Sequence, residues 1–192
     1  RVLSNQCCFP FFMQKVCDCR CYNPIMNIHP ILVHLPIGIF IIYAAMEILC
    51  LDVKFPTLRN GKRFLAFVGF ISGWITLASG EAAEHAVEAK ADQVILKLVE
   101  AHSVVAGAFV VVAGILAFLS ILSWVIETYP TPTVEWQKIA HRFAFLNQRW
   151  ILVVLALVGL LLITITGGLG GTIVYGPDLD PMTKLLYSIV VK

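Results

Sequence analysis

The stretch His29-Pro30-Ile31-Leu32-Val33-His34-Leu35-Pro36-Ile37-Gly38 decides how the chain is read, because two histidines and two prolines stand at the mouth of an apolar run that continues through Leu51. Proline lacks a backbone N–H and fits the first turn of a helix, where that donor has no intrahelical partner. Pro30 therefore reads as a helix start and Pro36 as a residue that loosens the ladder further in. His34 is expected inside the helix, and His29 just before it, in the extended conformation that a following proline favours. Ionisable side chains at the edge of a bilayer are costly, so their placement points to a task. Two readings stand: the rings hold a metal, foremost the iron of a haem, or they rest at headgroup level and bond to water or backbone.

Outward from this stretch, the chain is apolar throughout. Of its 192 residues 59% are hydrophobic and 14% charged, against about 25% charged in a soluble domain. Four runs, Ile31–Leu51, Phe64–Ala83, Ala101–Ile126 and Trp150–Gly167, are long enough to cross about 30 Å of hydrocarbon at ~1.5 Å per residue. The expected fold is all-α, an integral membrane four-helix bundle over residues 29–176, with a cysteine-rich N-terminal arm over 1–28 and an interfacial tail over 177–192. A net charge of +2 without a basic run excludes nucleic acid as a partner, and lipid is expected instead.

The arm holds Cys7, Cys8, Cys17, Cys19 and Cys21, five of the six cysteines. Such density points to disulfides in an oxidising compartment, with a metal site as the alternative. Lys54, Arg59, Lys62 and Arg63 follow the first run, and Lys138, Arg142 and Arg149 precede the fourth. Glu81, Glu84, Glu88, Asp92 and Glu100 lie between the second and third. Short loops rich in Lys and Arg stay cytoplasmic. The expected arrangement is a multi-pass membrane protein with the first and third loops inside and both termini and the second loop outside.

Small residues mark where helices approach. Gly69 and Gly73 are spaced for close packing, and Ala106 with Ala113, and Gly107 with Gly114, form a second stripe. The run Gly167-Gly168-Leu169-Gly170-Gly171 is expected to end the fourth helix and to allow close backbone approach, with Gly168 and Gly171 lining a cofactor. Glu47, three turns beyond His34, reads first as a carboxylate snorkelling to the interface, and second as a proton relay or quinone contact. His141, beside Trp136 and Arg142, reads as an ordinary surface residue.

In an up-down bundle His29, His34, His85 and His102 all reach the same face, from three helices. Imidazole is the usual axial ligand of b-type haem, and bundle cores hold such cofactors between facing helices. These four are the candidate ligands for haem b, one or two copies. Zinc or copper, and no cofactor at all, are the alternatives.

The stretch His29-Pro-x-x-Val-His-x-Pro-Ile resembles the opening of a family of bacterial membrane proteins catalogued as domain of unknown function 2231. Ser79-Gly80, His102 and the closing glycine run with Tyr175-Gly176 extend the likeness over roughly Ile28 to Gly176. The resemblance implies a four-helix membrane protein. Fusion of some relatives to Rieske iron–sulfur domains implies redox company, and the positions of His29 and His102 are those expected to persist. The sequence therefore suggests a b-type haem subunit that relays electrons at the periplasmic face of a larger redox complex. Its partners would be other membrane redox subunits and a periplasmic cytochrome or iron–sulfur protein, with a quinone as a further ligand. The rival reading is a haem-free structural or assembly subunit. Independent catalysis is not expected, since no nucleophile–base pair is spaced for it.

Overall fold

The computed structural model describes residues 24–55, 57–88, 91–129, 138, 145–146, 148–178 and 180–191. The five arm cysteines, with the disulfide or metal expected of them, and His141 lie outside these residues. The described residues form six helices and no strand: α1 (Pro24–Ile48), α2 (Leu51–Lys54), α3 (Leu58–Glu88), α4 (Gln93–Thr128), α5 (Arg149–Tyr175) and α6 (Pro181–Val190). Helices α1, α3, α4 and α5 are long and apolar enough to cross a membrane. They close a ring in which α1 packs on α3, α3 on α4, α4 on α5, and α5 on α1. Alternating direction then gathers the start of α1, the end of α3, the start of α4 and the end of α5 at one end of the bundle.

Three helix boundaries differ from those expected. Pro30 does not begin α1: the helix starts at Pro24, and both Pro30 and Pro36 lie inside it. His29 is consequently helical rather than extended. Interior proline is tolerated in such helices when a neighbour satisfies the carbonyl it strands. Pro36 strands the carbonyl of Leu32, and the Thr76 hydroxyl of α3 reaches that oxygen at 3.2 Å while bonding the Ser72 carbonyl at 2.8 Å.

Helix α4 begins at Gln93 rather than near His102, so His102 sits in its third turn. Its 36 residues make about 54 Å, well beyond the hydrocarbon thickness, so its first turns carry Lys97 and Glu100 outside the apolar run. The glycine run does not end α5 either. Gly167–Gly171 is helical, and the chain leaves the helix at Gly176, whose φ of 87° only glycine adopts readily. Helix α6 follows, fastened at its start by a capping box between Asp180 and Thr183. It makes helical part of what was expected only as an interfacial tail.

The core between the two ends is apolar, with Phe40, Ala44, Phe109, Ala113, Leu116, Ala156 and Ile163 buried together. The rings of Phe40 and Phe109 meet edge to face at 4.9 Å. Glycines let this happen. A Cβ on Gly159 would overlap the Phe40 ring, and one on Gly114 would stand 2.9 Å from the ring of Phe70. Gly69 faces Ile39 of α1, and Gly73 faces Val110 of α4, so this pair serves two different neighbours. The outward surface is as apolar as the core, with Ile41, Ile42, Phe64, Trp74, Phe118 and Leu161 exposed. Surfaces of that kind belong in hydrocarbon, where each helix satisfies its own backbone.

Candidate functional site

His29 stands in the second turn of α1, half-buried, with Nδ1 2.8 Å from the Ser79 hydroxyl of α3. His102 of α4, also half-buried, has Nδ1 3.0 Å from the Thr166 carbonyl of α5. The two rings lie at the same end of the bundle, on α1 and α4. Each lies against a glycine. A Cβ on Gly80 would stand 3.1 Å from Cε1 of His29, and one on Gly170 3.4 Å from Cε1 of His102. A Cβ on Gly107, five residues beyond His102, would meet nothing within 4 Å. All four long helices therefore contribute to the site: two supply rings, and two supply their hydrogen-bond partners and the room beside them.

The other expected ligands stand elsewhere. His34 is exposed, its Nδ1 donating to the Pro30 carbonyl of its own helix at 2.6 Å. His85 is exposed near the end of α3. Among the described residues no three His, Cys, Asp or Glu side chains gather as a metal ion would need. The expected set of four resolves into one inward pair. Two imidazoles are fewer than the four protein ligands a structural zinc ion takes.

The glycine run divides its work. Gly170 lies in ordinary contact with the His102 ring, while Gly168 is covered by α6, where a Cβ would stand 2.6 Å from Leu186 and 2.7 Å from Met182. Gly168 is thus the seat of the last helix, and Gly171 is half-buried nearby. Sequence reasoning missed Thr76 and Thr166. One signal was present, since Ser72, Thr76 and Ser79 place three hydroxyls along one face of an otherwise apolar helix.

The opposite end of the bundle is ionic. Glu47, expected to snorkel, is instead 1% exposed. The Lys62 ammonium of α3 lies 2.8 Å from Glu47 and 2.8 Å from Asp52 of α2. Arg149 of α5 reaches Asp52 at 3.1 Å. Glu47 stays inside because the Lys62 ammonium of the neighbouring helix is at hand, so its carboxylate is cheaper to pair there than to extend outward. Tyr43, one turn earlier on α1, is buried beside it, 1% exposed. Cys50, a free thiol, turns the chain between α1 and α2 in the left-handed conformation, with φ 57°. Asp52 lies in α2, outside the spanning helices. Burial raises its carboxyl, but Lys62 and then Arg149 outweigh that and hold it below the ordinary carboxylate value. A groove of about 570 Å³ opens between α3, α4 and α5, lined by Phe67, Phe70, Phe118 and Leu155 among others. No polar group converges on it, so it is not the candidate site.

Fold and site together define a four-helix membrane bundle with a polar cluster at each end and an inward pair of imidazoles at one of them. The chain belongs to the family described as Predicted membrane protein (DUF2231), which matches residues 25–179. No curated protein and no solved structure matches it.

Proposed function

We propose that the chain is a b-type haem-binding membrane subunit that relays electrons at its histidine end within a larger redox complex. The observation that carries this reading is that His29 of α1 and His102 of α4 are both half-buried at one end of the bundle, each fixed at Nδ1 by a neighbouring helix. His29 and His102 would hold the iron, and haem would supply reversible one-electron exchange. Gly80 lets the His29 ring lie close against α3. The basic residues Lys54, Arg59, Lys62, Arg63 and Arg149 all sit at the ionic end, which favours a cytoplasmic position for it and a periplasmic one for the histidines. On that arrangement the partners would be membrane redox subunits and a periplasmic cytochrome or iron–sulfur protein. A quinone would serve as donor within the membrane.

A haem-free structural subunit is the second reading, and one observation favours it. The same two ring hydrogen bonds fasten α1 to α3 and α4 to α5. Absorption spectra of the purified protein, oxidised and then reduced, separate the two. Soret and α bands are expected, and His102→Ala should abolish them while the protein stays in the membrane. An unchanged spectrum in that variant sinks the ligation, and the absence of both bands from wild-type protein made with ample haem favours the structural reading.

A further inference from the structure

We infer that Ser79 is the positioning residue that holds His29 in the tautomer protonated on Nδ1, so that Nε2 is the nitrogen this ring offers a ligand. The inference rests on the proposed haem reading only for the identity of that ligand. The Ser79 hydroxyl has a single hydrogen. Its oxygen lies 2.7 Å from the Thr76 carbonyl, and a carbonyl can only accept, so that hydrogen points there. Toward His29 Nδ1, at 2.8 Å, Ser79 Oγ has lone pairs alone to offer. Nδ1 must therefore carry the proton. In a neutral imidazole the second nitrogen is then an acceptor, and Nε2 keeps its lone pair.

His102 reaches the same state by another route. Its Nδ1 faces the Thr166 carbonyl at 3.0 Å, which again leaves Nε2 as the open nitrogen. Metal-bound histidines are generally held in this way, through a hydrogen bond from the other ring nitrogen. The two holds differ in one respect. Thr166 acts through its main chain alone, whereas His29 is held by the Ser79 hydroxyl beside the Thr76 carbonyl, so part of its hold lies in a side chain that substitution can remove.

The placement of Ser79 follows from α1 itself. Pro36 strands the Leu32 carbonyl, and the Thr76 hydroxyl of α3, bonded to the Ser72 carbonyl at 2.8 Å, shares its hydrogen with that oxygen at 3.2 Å. Ser79 stands three residues further along α3, level with His29, and Gly80 beside it clears the space that Cε1 occupies. The prolines of the opening stretch thus act on the site through the hydroxyl face of α3.

The test uses the full chain, free of cofactor, with ¹⁵N-labelled histidine in detergent micelles. Long-range ¹⁵N–¹H spectra report which ring nitrogen carries hydrogen, and His29→Gln identifies the signals. The wild type should show His29 protonated on Nδ1. Ser79→Ala should shift it to a mixture rich in the Nε2–H form, and Ser79→Thr should restore the wild-type pattern. Haemin titration of the same proteins should find Ser79→Ala weaker by about 10–100-fold, with Ser79→Thr close to wild type. A His29 protonated on Nε2 in the wild type overturns the inference. So does a tautomer indifferent to Ser79→Ala, or a haemin affinity indifferent to it in protein that binds haemin. Wild-type protein that takes up no haemin while His29 keeps its Nδ1 proton overturns the haem reading and upholds the role of Ser79.

Discussion

At the histidine end, α1 meets α3 through neutral hydrogen bonds, His29 to Ser79 and Thr76 to the Leu32 carbonyl, and α4 meets α5 through His102 to Thr166. At the ionic end, Lys62 alone bridges two carboxylates from α1 and α2, and Arg149 brings in α5. Buried charges are costly to bring in and costlier to leave unpaired, whereas neutral hydrogen bonds inside a membrane are individually weak. The ionic end is therefore a clasp whose members depend on one another. The histidine end is held loosely enough for its rings to keep an open nitrogen each. A site that must accept a ligand is better built at the second kind of end than at the first.

The strongest way to break this contrast is to remove the central cation. Lys62→Met leaves Glu47 and Asp52 facing each other and should cost about 3–5 kcal/mol, the range for breaking a buried pair on one side only. Unfolding of the purified protein in mixed micelles measures it, and a loss within the error of wild type would remove the clasp as a source of stability. The histidine-end variants Ser79→Ala and His102→Ala should each cost much less in the same assay.

Acid should sharpen the contrast by acting on the ionic end. The Asp52 carboxyl is held below its ordinary value, so its ionised form favours folding. That contribution is whole above the unfolded value of about 3.9, shrinks as the pH falls through it, and is gone below the lower folded value. Melting temperatures from neutral pH down to about pH 3 should fall at the acid limit for wild type. Asp52→Asn should start lower and lose less. Equal acid slopes for the two proteins would show that Asp52 does not carry the effect.

The smallest effect tests how α1 tolerates its prolines. Thr76→Val keeps the shape but removes the hydroxyl that reaches the Leu32 carbonyl, at an expected cost of about 0.6 kcal/mol, the average for such bonds in membranes. Restoring the missing N–H with Pro36→Ala should cancel most of that loss in the double variant. Purely additive costs would mean that the two positions are not coupled.

Much of the bundle is legible in the sequence because it follows from hydrocarbon itself. Runs of twenty or so apolar residues must be helical, since no water is there to satisfy the backbone. Helix limits were less legible. The prolines and glycines of Pro30, Pro36 and Gly167–Gly171 normally punctuate helices, but here neighbouring helices satisfy or fill what those residues leave. His102 was visible as a candidate, yet its place in the third turn of α4 was hidden by the charged turns Gln93–Glu100 before it.

By itself the sequence determined four apolar helices and, through alternating direction, which residues share an end of the bundle. It could not determine facing, because a turn of about 100° per residue separates neighbours on a helix, and only packing against α3 and α5 decides which rings turn inward. Tertiary structure put His29 and His102 inside and His34 outside. It likewise drew Glu47 into the bundle, since the ammonium that pairs its carboxylate belongs to Lys62, 15 positions away in the chain and on another helix.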